Sequence, residues 1–158
     1  MLSHKPIAER IYHGSVVNFL VLNRHDIETV VPDVPYLVIS IADPERAEAV
    51  LAASPLQRAV LRLRFHDKSG ARAALSGKVA MTPTVAREIL AFVRKHLPEV
   101  ALIACQCEAG ISRSAAIAAA LSRVLQGEDS FFFAHYAPND WIYQTLLKAS
   151  EEGNNATT

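Results

Sequence analysis

The residues best suited to chemistry in this chain are consecutive: Cys107-Glu108-Ala109-Gly110-Ile111-Ser112-Arg113-Ser114. A cysteine and an arginine with five residues between them can form an anion site with a nucleophile inside it. Eleven of the 158 residues are Arg and two are Cys, so this spacing arises by accident in about 14 % of such chains and is weak taken alone. Its context is stronger. Val100–Cys105 is apolar on both faces, as a central parallel strand should be. Gly110 sits in mid-loop. Ser114–Leu125 is almost all Ala, Ile, Leu and Val, the composition of a buried helix, and Gly127 ends it.

A tight strand–loop–helix turn points successive backbone N–H groups inward and makes an anion nest. The helix that follows adds its free N–H groups and positive dipole end. Gly110 allows torsions that a Cβ would forbid. Residues Glu108, Ala109, Gly110, Ile111 and Ser112 would cradle the anion, and Arg113 would clamp two phosphate oxygens with its planar fork. Such surroundings favour the thiolate form of a cysteine, so Cys107 is expected to attack phosphorus directly. The Ser114 hydroxyl could hydrogen-bond the sulfur and ease its departure. The plainer alternative makes Cys107 a small buried hydrophobe and Arg113 a surface residue at a helix start.

Other elements must position this loop. Val16–Leu22 and Tyr36–Ile41 are short β-branched runs that read as strands, with a short helix possible at Ile27–Val31. Asp43-Pro44-Glu45 looks like a helix start, with Asp at the N-cap and Pro at N1. That helix is expected to reach about Ala53. Val60–Phe65 alternates Leu61, Leu63 and Phe65 with Arg62 and Arg64, a strand with one buried face. His66-Asp67 follows it. Lys68 to Met81, with Gly70 and Gly77, reads as a loop, and Thr82-Pro83 opens a helix with Val85, Ile89, Phe92 and Val93 on its apolar face. Asp129–His135 and Pro138–Ser150 are expected to be helices, with Asn139 as a cap and Trp141, Ile142, Leu146 and Phe131–Phe133 in the core.

Strands alternating with helices imply an α/β fold. We expect one domain over residues 1–150, with a central, mostly parallel sheet of four or five strands flanked by helices. Residues 151–158 should be a frayed polar tail. In such sheets ligands bind at the carboxyl ends of the strands, where Asp67 and Cys107 both fall.

Half the chain is apolar, enough for a core. No apolar run reaches the length of a membrane span, and Met1–Arg10 does not read as a signal peptide. A cytoplasmic protein with no membrane partner is the default. Net charge is zero, which argues against nucleic acid. Residues 54–95 net +7, whereas 1–53 net −3 and 96–158 net −4. The basic middle could steer an anionic substrate, or simply form solvated faces. Cys105 and Cys107 are too close for an unstrained disulfide and lack the spacing of a zinc site. Cys105 is read as packing within its strand, although it could trap an oxidised Cys107 at the cost of strain.

The eight-residue stretch resembles the signature loop of the protein tyrosine phosphatase superfamily: His-Cys, five residues, Arg, then Ser or Thr. Its form Cys-x-x-Gly-x-Ser-Arg-Ser is similar to the dual-specificity branch, and the chain looks most like small bacterial single-domain members. The resemblance implies a phosphotyrosine phosphatase II-like fold and hydrolysis of phosphotyrosine, with phosphoserine or phosphothreonine also open. It implies a Cys107 thiophosphate intermediate, no metal or cofactor, and a phosphorylated protein or peptide as partner. It also implies an Asp general acid some thirty to forty residues before the cysteine. Asp67 fits at forty, and Asp43 is its rival. Pro138-Asn139 and Gln144 resemble the stretch after the loop helix in dual-specificity enzymes. Gln106 departs from the family pattern, standing where a His is usual. Glu108 puts an acid beside the nucleophile and disfavours polyanionic lipid substrates. A catalytically weak phosphoprotein-binding module, or a sulfur-transfer or arsenate-reducing enzyme, would be the competing classes.

Overall fold

In the computed structural model, residues 2–156 are described. They form four strands and six α-helices: α1 (Ile7–Arg10), β1 (Asn18–Leu22), β2 (Tyr36–Ala42), β3 (Gln57–Arg64), α2 (Gly70–Ser76), α3 (Pro83–His96), β4 (Leu102–Gln106), α4 (Arg113–Gln126), α5 (Ser130–His135) and α6 (Asp140–Ala156). The strands form one all-parallel sheet in the order β1-β4-β2-β3. The expected α/β architecture is therefore present, with four strands.

Strand alternation divides the core in two. Phe19, Val21, Leu37, Ile39, Ile41, Ile103 and Cys105 face one layer, packed with residues of α3, α4, α5 and α6. Leu20, Leu22, Tyr36, Val38, Leu102 and Ala104 face the other, covered by Ile7, Ile27, Ala49 and Leu51 on short or irregular segments. Seven successive residues of α4, Ala115–Leu121, are essentially inaccessible to solvent. Their small side chains let the helix lie close on the sheet. That fixes its N-terminus at the carboxyl end of β4. No described helix is long and apolar enough to cross a membrane.

Several local signals act as expected. The Thr82 side chain accepts from the Val85 N–H, with Pro83 in the first turn of α3. Gly127 ends α4 with φ of 73°. Asp26–Glu28 is a 3-10 turn that overlaps only the first two residues of the stretch Ile27–Val31 expected to be a short helix.

Four expectations are corrected. No helix spans residues 43–53; a turn at Pro44–Arg46 gives way to irregular chain. The carbonyls a helix would use internally are taken by arginines of β3. Arg64 Nη1 donates to the carbonyl of Arg46 at 2.6 Å, with longer contacts to those of Asp43 and Pro44. Arg62 Nη1 donates to the carbonyl of Ala49 at 2.7 Å.

The stretch after Asp67 is not all loop. It holds α2, capped by the Ser69 side chain and closed by left-handed Gly77. The chain does not fray at Ser150. Leu146, Ala149 and Ser150 are buried, so packing carries α6 past the polar residues to Ala156, while Thr157 and Thr158 lie outside the described residues. Trp141 and Phe133, expected in the core, are 38 % and 46 % exposed, whereas Phe132, Ile142 and Leu146 are fully buried.

Candidate active site

Three strand ends meet here. β2 delivers Asp43, β3 delivers Asp67, and β4 delivers Cys107, all at the carboxyl edge where open parallel sheets bind ligands. The loop from Cys107 to Ser112 is held from both sides. On one side the Cys107 N–H donates to the Leu22 carbonyl at 3.3 Å and the Arg24 N–H to the Glu108 carbonyl at 3.1 Å. On the other, the Ala137 and Asn139 N–H groups donate to the carbonyls of Ile111 and Ser112, each at 3.1 Å.

The carbonyls are thus turned outward and tied down. Among the described residues, the amides of residues 108–112 donate to no protein acceptor. Orphan donors beside a helix N-terminus are what an anion nest requires. Gly110 makes the turn with φ of 66°, and a Cβ there would come within 2.6 Å of the Asn23 backbone nitrogen. Both the torsion and the close approach of β1 demand glycine.

Cys107 is 2 % exposed and Ser114 is buried. Their Sγ and Oγ atoms are 3.1 Å apart. The hydroxyl can donate to sulfur in its anionic form. Arg113 is also buried. Its Nη1 donates to Asp43 Oδ1 at 2.6 Å and to the Phe65 carbonyl at 2.8 Å. Both bonds use Nη1, which leaves the opposite edge of the guanidinium for a ligand. Asp43 therefore holds Arg113 rather than capping a helix.

Asp67 is exposed and tethered to the loop. Its Oδ1 accepts from Ser112 Oγ and from Asn139 Nδ2, each at 2.8 Å, leaving Oδ2 without a protein partner among the described residues. Asn139 has a second bond: its Oδ1 accepts from the Ile142 N–H at 3.0 Å. It is the expected cap of α6, and the same amide positions Asp67. His66 is structural. The Val79 N–H donates to its Nδ1 at 2.8 Å, so its Nε2 carries the proton and donates to Glu45 at 2.8 Å. That bond, after the backbone N–H of Glu45 itself, holds the Glu45 carboxyl below its ordinary range.

Glu108 lies at the rim between two arginines, 3.2 Å from Arg46 and 3.7 Å from Arg24. Two clefts flank the loop. One, of about 410 Å³, is lined by Asn23, Arg24, His25, Glu28, Glu108 and Ala109. The other, of about 380 Å³, includes Asp67, Lys68, Arg72, Asn139 and Trp141. A third cavity, lined by Pro83, Trp141, Lys148 and Glu152 among others, touches none of the loop residues. Cys105 lies fully buried behind the loop and is a free thiol, as is Cys107. Burial pushes the Cys105 thiol far above its ordinary range, and the neighbouring Cys107 adds to this. Cys105 therefore stays protonated and inert at neutral pH.

Of the residues singled out in the sequence, the structure places Cys107 beside Ser114 and Asp67 beside Ser112, while Arg113 is held by Asp43 and Phe65 and Glu108 by Arg24 and Arg46. Asp43 was noticed as an acid after a strand. Its use as the partner of Arg113 was missed, because nothing local marks a contact across seventy residues.

No protein-family model matches the chain, and no curated protein matches it in sequence. Solved structures do match in fold. A mouse protein described as a dual specificity phosphatase, complexed with zinc tungstate, superposes with a TM-score of 0.61 at 13 % identity, over 93 % of this chain and 89 % of its own. Tk-PTP in its active form gives 0.56 at 16 %, over 90 % and 97 %. PTPMT1 in complex with PI(5)P gives 0.57 at 16 %, over 93 % and 96 %. These identities speak to architecture: the chain has the fold of the dual-specificity and tyrosine phosphatases.

Proposed function

We propose that this protein is a metal-independent, cysteine-dependent phosphatase acting on phosphotyrosine in proteins or peptides, with phosphoserine and phosphothreonine as further substrates. The observation that carries this reading is the run of unpartnered amides at 108–112, with the buried Cys107 thiol on Ser114 before it and the buried Arg113, held by Asp43 and Phe65, after it.

The Cys107 thiolate attacks phosphorus. A sulfur–phosphorus bond forms as the phosphorus–oxygen bond to the phenol breaks. The amides of residues 108–112 and Arg113 hold the three equatorial oxygens, where charge is greatest in the transition state. Asp67, protonated on Oδ2, gives its proton to the leaving phenol oxygen. In the second step Asp67, now a carboxylate, takes a proton from water as water attacks phosphorus. The sulfur–phosphorus bond breaks, and Ser114 donates to the returning thiolate.

Glu108 bears on substrate class. By pairing with Arg24 and Arg46 it occupies cations that a second phosphate would need. Singly phosphorylated peptides fit this rim better than polyanionic lipid headgroups, and a reducing compartment such as the cytoplasm suits the free thiols. A binding module without turnover would need only the loop and Arg113. Asp67, tethered to that loop, favours the enzyme.

The test is turnover of an aryl phosphate and of a phosphotyrosine peptide in the presence of chelator. We expect steady release of phosphate, unaffected by the chelator. Tight phosphopeptide binding with no release would instead support the binding module.

A further inference from the structure

Gln106 stands immediately before the nucleophile, at a position where the resemblance calls for histidine. It is 1 % exposed, and every polar atom of its side chain is engaged. Its Nε2 donates to the carbonyl oxygen of Cys107 at 3.0 Å. Its Oε1 accepts from the Ser40 hydroxyl at 2.5 Å. Ser40, 3 % exposed, in turn accepts from Arg62 Nη1 at 3.3 Å.

The alignment follows from the sheet. Ser40 pairs with Gln106 across β2 and β4, and with Arg62 across β2 and β3. The three side chains therefore stand side by side on one face, at the carboxyl edge, in line across three strands. Ala104 and Val38, one alternation earlier on that face, are apolar. The polar row is confined to the level of the active-site loop.

The direction of the bonds is also fixed. Arg62 can only donate, so the Ser40 hydroxyl donates onward to Gln106 Oε1, and the amide must then present its N–H to Cys107. Hydrogen bonds aligned in one sense polarise one another. Glu48 faces the outer end, 3.0 Å from Arg62 Nε, and moderates its charge.

We propose that Arg62, Ser40 and Gln106 form a one-directional hydrogen-bond relay that positions Cys107 through its own carbonyl and replaces a titratable residue with groups that keep their charge state at physiological pH. The relay rests on the phosphatase reading for its purpose, but not for its existence. Its members are positioning residues; Gln106 touches the nucleophile's backbone, not the substrate.

The test is a double-mutant cycle with Ser40→Ala, Gln106→Leu and both together. It is read by kcat and KM on an aryl phosphate, and by the rate of Cys107 alkylation with iodoacetamide, mapped by peptide. Each single change should lower kcat by about three- to tenfold, the rate equivalent of one neutral hydrogen bond, with KM little altered. Alkylation of Cys107 should slow in parallel. The double variant should be no worse than Gln106→Leu, because Ser40 acts only through Gln106. Ser40→Thr, which keeps the hydroxyl, should recover most of the loss. Arg62→Gln, at the half-exposed end, should give a smaller loss of the same kind and guards against misfolding of the buried variants.

Multiplicative losses in the double variant would overturn the relay. So would variants that unfold at lower temperature yet keep wild-type kcat and alkylation rate. If the wild type itself shows no turnover, the phosphatase reading fails, and the alkylation cycle still decides the relay.

Discussion

Cys107→Ser is expected to reduce aryl phosphate turnover to the background rate, a loss of about ten-thousandfold or more. The two side chains are nearly isosteric, and the site at position 107 is already built around a side chain 2 % exposed. What changes is ionisation. A serine hydroxyl in this nest has no adjacent base to take its proton, whereas a thiol ionises readily enough to be the nucleophile itself. The amides of residues 108–112 and Arg113 are untouched, so the variant should still bind phosphopeptide. Titration calorimetry on the inactive variant checks this directly. Retained turnover would remove Cys107 from the reaction.

Asp67→Ala should produce the second largest effect, and its size should depend on the leaving group. With a phosphotyrosine peptide, whose phenol leaves poorly without a proton, kcat/KM is expected to fall by about 10²- to 10⁴-fold. With an aryl phosphate carrying an activated, electron-poor phenol, the same variant should lose far less in the first step. Ser112 and Asn139 would each lose an acceptor, at exposed positions where water can replace it. The fold should therefore survive, and circular dichroism should match wild type. An equal loss for both leaving groups would point to a role for Asp67 in holding Ser112 rather than in proton transfer.

The central unit of the fold was readable because its signals are local. The run before Cys107, the glycine and the Ala-rich helix each act within a few residues of themselves. Thr82-Pro83 opened its helix for the same reason. The failures share a different cause. The segment after Asp43 has every local mark of a helix start, yet Arg62 and Arg64, on another strand, take its carbonyls. Their outward alternation was visible in the sequence, but not that the crossover chain would pass over them. Asp43 itself was legible, because it follows a strand end, as Asp67 and Cys107 do. Its pairing with Arg113 depends on β2 lying beside β4, a sheet order that sequence does not state. The partners of Gln106 were hidden likewise, since register decides them. In α6, packing against α3 and α4 overrides the polar composition that suggested fraying.

The most direct measurement is to trap the covalent intermediate. Asp67→Ala, given an activated aryl phosphate, should still form the phosphoenzyme but lack the base that activates water in the second step. Rapid acid quench followed by peptide mass spectrometry should then find one phosphoryl group on the peptide containing Cys107, attached to sulfur, and none in Cys107→Ser. Phosphate released without any labelled cysteine peptide, or a phosphoryl group carried on another residue, would contradict the account.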